Sequence, residues 1–321
     1  MKIGILFAGQ GAQYSGMGKS LYENSEVARD VFDAAGEEIK EWCFNGTKEM
    51  LRITSITQPC IYTVTMAAYG ALLEELAKLH MNAFEIEGMA GFSLGEYAAL
   101  TAAGSIDDYK KGIGIVTKRG QWMNDAGIGE DGEPAGGMTA AFGDRENILD
   151  CVELCRENGI LECVNFNSPT QTVVAGDKAA LERFRKRSKE LGHIKAIPLS
   201  VSTAFHSPMM KPSVEKLKQL LINEKLHQPA GKIYSNVTGK PIEENADLAE
   251  LMAKQAMSPV YWQETIENML KDGVELFIEI GPGATLSGIV KKINHEIKTT
   301  HVEDMESLQL TIGILKGEIQ C

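Results

Sequence analysis

The stretch GMAGFSLGEYAAL, residues 88–100, joins a short apolar segment to an alanine-rich segment through G-x-S-x-G at residues 91–95. The residues before this motif favour a strand, and those after it are good helix formers. In a strand–turn–helix elbow, two glycines permit the sharp turn that lifts a serine hydroxyl clear of the backbone. The helix N-terminus and the next backbone N–H then favour negative charge beside that serine. The pattern therefore predicts that Ser93 is a nucleophile within an α/β fold.

Strand-like and helix-like segments alternate on both sides of this motif. Short apolar runs at residues 3–7, 88–92 and 275–280 indicate strands, and residues 59–79 have helical periodicity. Glycine-rich turns follow the first and last of these runs, at residues 9–11 and 281–283. Such alternation is typical of a parallel sheet with helices on both faces.

A smaller unit is predicted after the glycine-rich, acidic segment 125–137, which indicates an exposed loop or hinge. Strands are expected at 138–142, 161–166, 172–175 and 194–199, with helices at 146–158 and 179–191. This βαββαβ order is ferredoxin-like. We therefore expect a small subdomain at 133–199, inserted in a core of residues 1–132 and 200–300. The chain should return to the main sheet near Val201, and residues 301–321 should form a C-terminal tail, turn-rich from Met305.

The charge of the chain argues against a nucleic-acid partner. Its formal net charge is −12, whereas phosphate binding requires a basic face. One basic cluster stands out at residues 182–195, and it contains Arg183, Arg185, Lys186, Arg187 and Lys189. This cluster is either a solvated helix face or a docking site for an acidic protein.

Cysteine usage and the absence of targeting segments indicate a cytoplasmic protein. The six cysteines form no CxxC pair and no disulfide framework, so reduced thiols are expected. Cys151 and Cys155 would share a helix face but lack further ligands at zinc spacing, and no metal site is predicted. The first residues do not resemble a signal peptide, and no apolar run is long enough to span a bilayer.

A nucleophilic serine needs a base, and His206 is the best placed of six histidines. It lies in STAFHSP, residues 202–208, directly after a predicted strand. Between Ser93 and His206 no acidic residue stands in a recognisable setting, so the third member of the site stays open at this point. A phosphate-binding loop at residues 13–20 is rejected because Gln13 occupies the place of its first glycine.

Several motifs occur in the order found in one enzyme family. They are AGQGAQ at 8–13, TQP at 57–59, GFSLGEY at 91–97, KRG at 118–120, NFNSP at 165–169, FHS at 205–207, and Gln255 followed by PVYW at 259–262. From about residue 3 to about residue 290 the chain resembles the malonyl-CoA:acyl carrier protein transacylases and the acyltransferase domains of polyketide synthases. The resemblance implies a hydrolase-like core with a ferredoxin-like insert and an active site between them.

The resemblance also implies a ping-pong reaction for fatty-acid synthesis. The malonyl group of malonyl-CoA would pass through malonyl-Ser93 to the phosphopantetheine thiol of a holo acyl carrier protein. His206 would be the base, held by a main-chain carbonyl of the Gln255 segment in place of a carboxylate. The N–H groups of Gln10 and Leu94 would bind the oxyanion. No cofactor is implied, and a monomer is expected.

Four further residues are implied to bind the substrate. Arg119 would pair with the malonyl carboxylate, for which its planar fork is suited. Phe205 is of the bulky type that leaves little room for an α-methyl group, and Asn165 lies in a family motif. Phe92 departs from the family, since most relatives have a histidine beside the serine, and this changes the polarity next to the nucleophile.

Three alternatives remain at this stage. An acyl hydrolase of the same fold is disfavoured by Arg119, which such relatives tend to lack. Malonyl transfer to another carrier, of a malonate decarboxylase or of a polyketide synthase supplied in trans, has the same motifs. A non-catalytic carrier-binding module would be expected to have lost Ser93 or His206, and both are present.

Overall fold

The computed structural model describes residues 1–81, 84–201 and 203–320, which form an α/β structure with two sheets. The strands are β1 (Lys2–Phe7), β2 (Glu85–Gly91), β3 (Gly136–Phe142), β4 (Leu161–Ser168), β5 (Gln171–Asp177), β6 (Lys195–Pro198), β7 (Ile233–Tyr234), β8 (Leu276–Ile280) and β9 (Lys298–Val302). The helices are α1 (Lys19–Asn24), α2 (Glu26–Ala35), α3 (Glu37–Asn45), α4 (Thr54–Lys78), α5 (Gly95–Ala102), α6 (Tyr109–Ala126), α7 (Arg145–Arg156), α8 (Lys178–Leu191), α9 (Lys211–Glu224), α10 (Leu248–Gln255), α11 (Trp262–Lys271), α12 (Thr285–Ile293) and α13 (Met305–Lys316). None of the helices in these ranges is long and apolar enough to cross a membrane.

The larger sheet is parallel, as predicted, with strand order β7-β2-β1-β8-β9. The central strands β1 and β8 are buried along nearly their whole length. Strands buried on both faces are what helices packed against a parallel sheet produce. The carboxyl ends of β1 and β2 meet at one edge, since Phe7 is paired with Gly91. The loops after these two strands therefore lie side by side.

The smaller sheet is antiparallel, with order β4-β5-β3-β6 and its own apolar core. The elements follow one another as β3, α7, β4, β5, α8 and β6, within the range predicted for the insert. Hydrogen bonds join this sheet to the rest of the protein beside Asn165. The Phe166 N–H donates to the Val260 carbonyl at 2.9 Å, and the Val260 N–H donates to the Val164 carbonyl at 2.8 Å. They fix the position of Asn165 where β4 meets the segment before α11.

Two expectations about the route of the chain are wrong. Val201 does not return to the main sheet; the chain passes through a loop and α9 first, and rejoins at β7. Residues 301–320 are not a turn-rich tail, because β9 is an edge strand of the main sheet and α13 is a helix. The α13 helix begins at a capping box of Asp304 and Ser307 and buries Leu308 and Ile312, one turn apart. The predictions that involve Ser202 and Cys321 lie outside the described residues.

Candidate active site

Ser93 lies at the tip of the turn between β2 and α5, where the strand–turn–helix elbow was predicted. Its φ of 51° is left-handed, a conformation that L residues other than glycine seldom adopt. The flanking glycines are required by close backbone packing. A Cβ on Gly91 would lie 1.9 Å from the Gly95 carbonyl carbon, and one on Gly95 would lie 2.1 Å from the Phe7 carbonyl oxygen. The local sequence thus explains the elbow.

His206 is hydrogen-bonded to this serine, with 2.7 Å between its Nε2 and the Ser93 Oγ. Its Nδ1 lies 2.9 Å from the Gln255 carbonyl oxygen and 3.1 Å from that of Ser258. Because carbonyls only accept hydrogen bonds, Nδ1 must carry the proton, which leaves the Nε2 lone pair for the serine hydroxyl. Burial, and then the charge of Arg119, lower the pKa of His206 to about 4. The imidazole is therefore neutral at pH 7 and can accept the serine proton.

The Gln255 carbonyl occupies the place that the sequence resemblance implied, and the Ser258 carbonyl was missed. The main-chain N–H of His206 also donates to the Ala256 carbonyl at 3.1 Å. The segment after α10 therefore holds both the ring and the backbone of His206.

Arg119 is brought to the same site by α6 and is only 1% exposed. Its Nη1 donates to the Gln58 Oε1 at 2.8 Å, and its Nη2 donates to the Gln255 Oε1 at 3.0 Å and to the Ser93 Oγ at 3.2 Å. Within the described ranges, no carboxylate oxygen lies within 4.0 Å of the guanidinium nitrogens. A buried cation is costly unless an anion pairs with it. The arrangement can therefore bind an anionic group beside the nucleophile.

Two main-chain N–H groups at the site are left for a ligand. In the part of the chain that the structure describes, the N–H groups of Gln10 and Leu94 have no protein acceptor. The N–H of Ser93 is instead occupied, since it donates to the Asn236 Oδ1 at 2.7 Å. The two free groups flank the serine from the β1–α1 loop and from the elbow itself.

Sequence reasoning missed two polar residues behind the serine. The Asn236 Nδ2 donates to the Gly91 carbonyl at 2.7 Å, so its amide ties both sides of the elbow. Glu96 is fully buried and accepts hydrogen bonds from the Gln255 Nε2 at 2.8 Å and from the Asn236 N–H at 3.3 Å. Burial raises the pKa of Glu96 to about 7. Glu96 directly follows the motif, but nothing local shows that positions 236 and 255 return to it.

A cavity of about 640 Å³ opens onto these groups. Its walls include the predicted residues Gln10, Phe92, Ser93, Leu94, Arg119, Asn165, Phe205 and His206. The Phe92 ring packs edge-on against Trp262, with 5.1 Å between ring centroids. Of the predicted site residues, Gln255 alone lies outside the cavity wall, and it acts through its carbonyl and its amide.

The five predicted basic residues of α8 do not form one exposed surface in the structure. Arg183 donates to the Cys155 and Arg156 carbonyls, both at 3.0 Å, and so caps the end of α7. Arg185 is half-buried and lies 3.4 Å from the Thr139 hydroxyl. Lys186, Arg187 and Lys189 are exposed. Only the last three form a basic surface that a partner could contact.

Comparisons with known proteins agree over nearly the whole chain. The family model described as the acyl transferase domain matches residues 5–318. A malonyl CoA-acyl carrier protein transacylase of Bacillus subtilis (strain 168) is 39% identical over 325 aligned positions, which cover 99% of this chain and 98% of that protein.

Solved structures are similar over the same length of chain. The crystal structure of malonyl CoA-acyl carrier protein transacylase from Clostridium perfringens superposes with a TM-score of 0.90 at 40% identity, covering 99% of this chain and 98% of the other. A malonyl-transacylase solved in complex with its type II polyketide synthase acyl-carrier protein has a TM-score of 0.89 at 33% identity, covering 99% of this chain and 100% of the other.

Proposed function

This chain belongs to the acyl transferase domain family, and we propose that it transfers a malonyl group from malonyl-CoA to the phosphopantetheine thiol of a holo acyl carrier protein. The observation that carries the proposal is the buried Arg119, which has no carboxylate within 4.0 Å in the described residues and lies 3.2 Å from the Ser93 Oγ. An acyl group with a free carboxylate would supply the missing anion. The names of the similar proteins support the same substrate.

In the first half-reaction, Ser93 is acylated. The Ser93 hydroxyl gives its proton to the His206 Nε2 while Oγ attacks the thioester carbonyl. The oxyanion forms beside the N–H groups of Gln10 and Leu94, where each donor contributes about 3–4 kcal/mol in comparable sites. The carbon–sulfur bond then breaks, and the coenzyme A sulfur leaves with the proton from His206.

In the second half-reaction, the carrier thiol gives its proton to His206 and attacks the acyl-serine carbonyl. Collapse of that intermediate breaks the ester bond, and the proton returns from His206 to Ser93. One imidazole thus handles every proton in turn, and the proposal assigns no metal or redox cofactor to the site. Arg119 binds the acyl carboxylate in both steps, while Phe92, Asn165 and Phe205 form the acyl pocket.

The order βαββαβ with sheet order β4-β5-β3-β6 supports a ferredoxin-like insert at 133–199 in a hydrolase-like core of residues 1–132 and 200–300, to which β9 and α13 add. The enzyme would act as a cytoplasmic monomer in fatty-acid synthesis. A polyketide carrier is the alternative acceptor, because it presents the same phosphopantetheine thiol.

The reaction is tested by mass spectrometry of the intact protein after brief exposure to malonyl-CoA. We expect one malonyl adduct on Ser93 that disappears when holo carrier protein is added and persists with apo carrier, which lacks the thiol. Ser93→Ala is the control that forms no adduct. Loss of the adduct to water without any carrier would identify a hydrolase instead.

Carrier docking is assigned to three exposed cations in the second half of α8, Lys186, Arg187 and Lys189. Charge reversal of Lys186, Arg187 and Lys189 together should lower kcat/KM for the carrier about tenfold at low salt and leave the malonyl-CoA half-reaction unchanged. Lys216→Glu, an exposed lysine on α9, is the matched control. Unchanged carrier kinetics in the triple variant would remove this surface from the proposal.

A further inference from the structure

A buried carboxylate that the proposed reaction does not use lies directly behind the nucleophile. Glu96 is in the first turn of α5 and is 0% exposed. Its carboxylate accepts from the Gln255 Nε2 at 2.8 Å, and both of its oxygens lie 3.3 Å from the Asn236 nitrogen. Both donors come from distant parts of the chain, so Glu96 joins three segments of the active site.

The Gln255 amide connects Glu96 to Arg119. Its Nε2 also donates to the Ser93 carbonyl at 2.7 Å, and its Oε1 accepts from the Arg119 Nη2 at 3.0 Å. A carboxylate and a peptide carbonyl both only accept, so the amide nitrogen must face them and the amide oxygen must face the guanidinium. Glu96 therefore helps to fix the amide orientation that holds Arg119 at the serine.

The charges around Glu96 are few. Arg119, on α6, is the charged group whose field acts on it, and this charge opposes the effect of burial on the Glu96 pKa. Tyr97, on the same helix, is a buried phenol whose pKa is raised to about 12, chiefly by burial. His206 is neutral because its pKa is lowered to about 4, and Gln255 and Asn236 carry no charge. In the free enzyme, the Glu96 carboxylate thus acts on Arg119 through its field, across the Gln255 amide and without an ion pair.

We propose that Glu96 is a positioning residue for acyl-group selection: it holds Arg119 through Gln255, and it takes up a proton from solvent when an acyl carboxylate binds to Arg119. This inference rests on the proposed malonyl transfer. An acyl carboxylate bound to Arg119 brings a second negative charge close to the buried Glu96, and this repulsion raises the pKa of the Glu96 carboxyl by about one unit or more. Substrate binding is then coupled to protonation of Glu96.

Because of this coupling, the preference for malonyl-CoA over acetyl-CoA should decrease as pH rises. As pH rises, Glu96 is harder to protonate, so the acyl carboxylate binds more weakly. Acetyl-CoA has no acyl carboxylate, so its binding should not be coupled to the protonation of Glu96. The ratio of the acylation kcat/KM for malonyl-CoA to that for acetyl-CoA removes the pH dependence that both reactions share, which comes from coenzyme A, Ser93 and His206. One pKa unit corresponds to a factor of ten, so the ratio should fall about tenfold between pH 6 and pH 9.

The first test measures this ratio in the wild type, in Glu96→Gln and in Glu279→Gln. Glu279 is the matched control because it is equally buried, accepts from the N–H groups of Leu286 and Ser287, and lies on β8. We expect the ratio to be independent of pH in Glu96→Gln and to fall as in the wild type in Glu279→Gln. A flat wild-type profile, or a wild-type slope in Glu96→Gln, would overturn the proposal.

The second test does not depend on the folding of a Glu96 variant. Ser93→Ala, which cannot be acylated, is titrated calorimetrically at pH 7.5 with malonyl-CoA and with acetyl-CoA in two buffers of different ionisation enthalpy. We expect malonyl-CoA to bind with uptake of about half a proton more than acetyl-CoA does. No difference would overturn the role of Glu96. Failure of wild-type Ser93 to accept malonyl would instead contradict the proposed function.

Discussion

Replacing Arg119 with methionine tests the origin of acyl selectivity most directly. Methionine is long enough to fill the site but carries no charge and donates no hydrogen bond. The wild-type guanidinium should form two charge-assisted hydrogen bonds with the malonyl carboxylate, worth about 1.5–3 kcal/mol each. Losing both, about 3–6 kcal/mol, lowers kcat/KM for malonyl-CoA about 100- to 20,000-fold.

The acetyl reaction of Arg119→Met should change far less. Acetyl offers no carboxylate, so the variant loses only the 3.2 Å hydrogen bond from the guanidinium to the Ser93 Oγ, while the 2.7 Å contact between Ser93 and His206 remains. The assay is quenched-flow mass spectrometry of the acyl-enzyme formed from each thioester, with thermal unfolding to show that the variant is folded. Arg119→Lys is the companion variant. Its preference for malonyl should lie between those of the wild type and Arg119→Met, because lysine retains the charge without the planar fork. A malonyl preference that survives in Arg119→Met would refute the role of Arg119.

Three further perturbations follow from the geometry of the elbow. The acylation rate should fall as pH drops through about 4, because His206 is neutral above that pKa and its imidazolium has no lone pair for the serine proton; a flat profile from pH 3.5 to 7 would point to another base. Asn236→Ala leaves the Ser93 N–H without its 2.7 Å acceptor and should slow acylation about tenfold, whereas Asn236→Asp, which retains an acceptor, should lose less. Gly95→Ala places a Cβ 2.1 Å from a main-chain oxygen and should destabilise the fold by about 3 kcal/mol or more in urea unfolding, while Gly114→Ala, with nothing within 4 Å, should be neutral or slightly stabilising.

The parts of the fold that sequence patterns predicted are those set by short-range rules. The runs at residues 3–7 and 275–280 correspond to β1 and β8, and the strands and helices expected between residues 138 and 199 appear within a few residues of their predicted bounds. Local periodicity was not enough to predict α13, although the apolar residues of that segment recur at helical spacing. It also fails at Val201, because the choice between a strand and a loop there depends on which segment fills the neighbouring edge of the sheet.

In the candidate site, too, some residues could be predicted from the sequence and others could not. The role of Ser93 could be predicted from the two glycines beside it, because the turn that they permit depends on only five consecutive residues. His206, Arg119 and Gln255 were reached through motifs, and the structure brings them to one place. Nothing in the sequence pointed to Asn236 as the acceptor for the Ser93 N–H, to the Ser258 carbonyl, or to Glu96 as the partner of Gln255.

By itself, then, the sequence determined the elbow, the alternation of strands and helices, and the chemical types available for acyl transfer. Tertiary structure alone decided which buried polar groups satisfy one another. The physical reason is that steric turns and hydrophobic periods depend on neighbours along the chain. A buried hydrogen bond or charge depends instead on groups that packing brings together. Glu96, for example, is more than 100 residues away in sequence from both of its partners, Asn236 and Gln255.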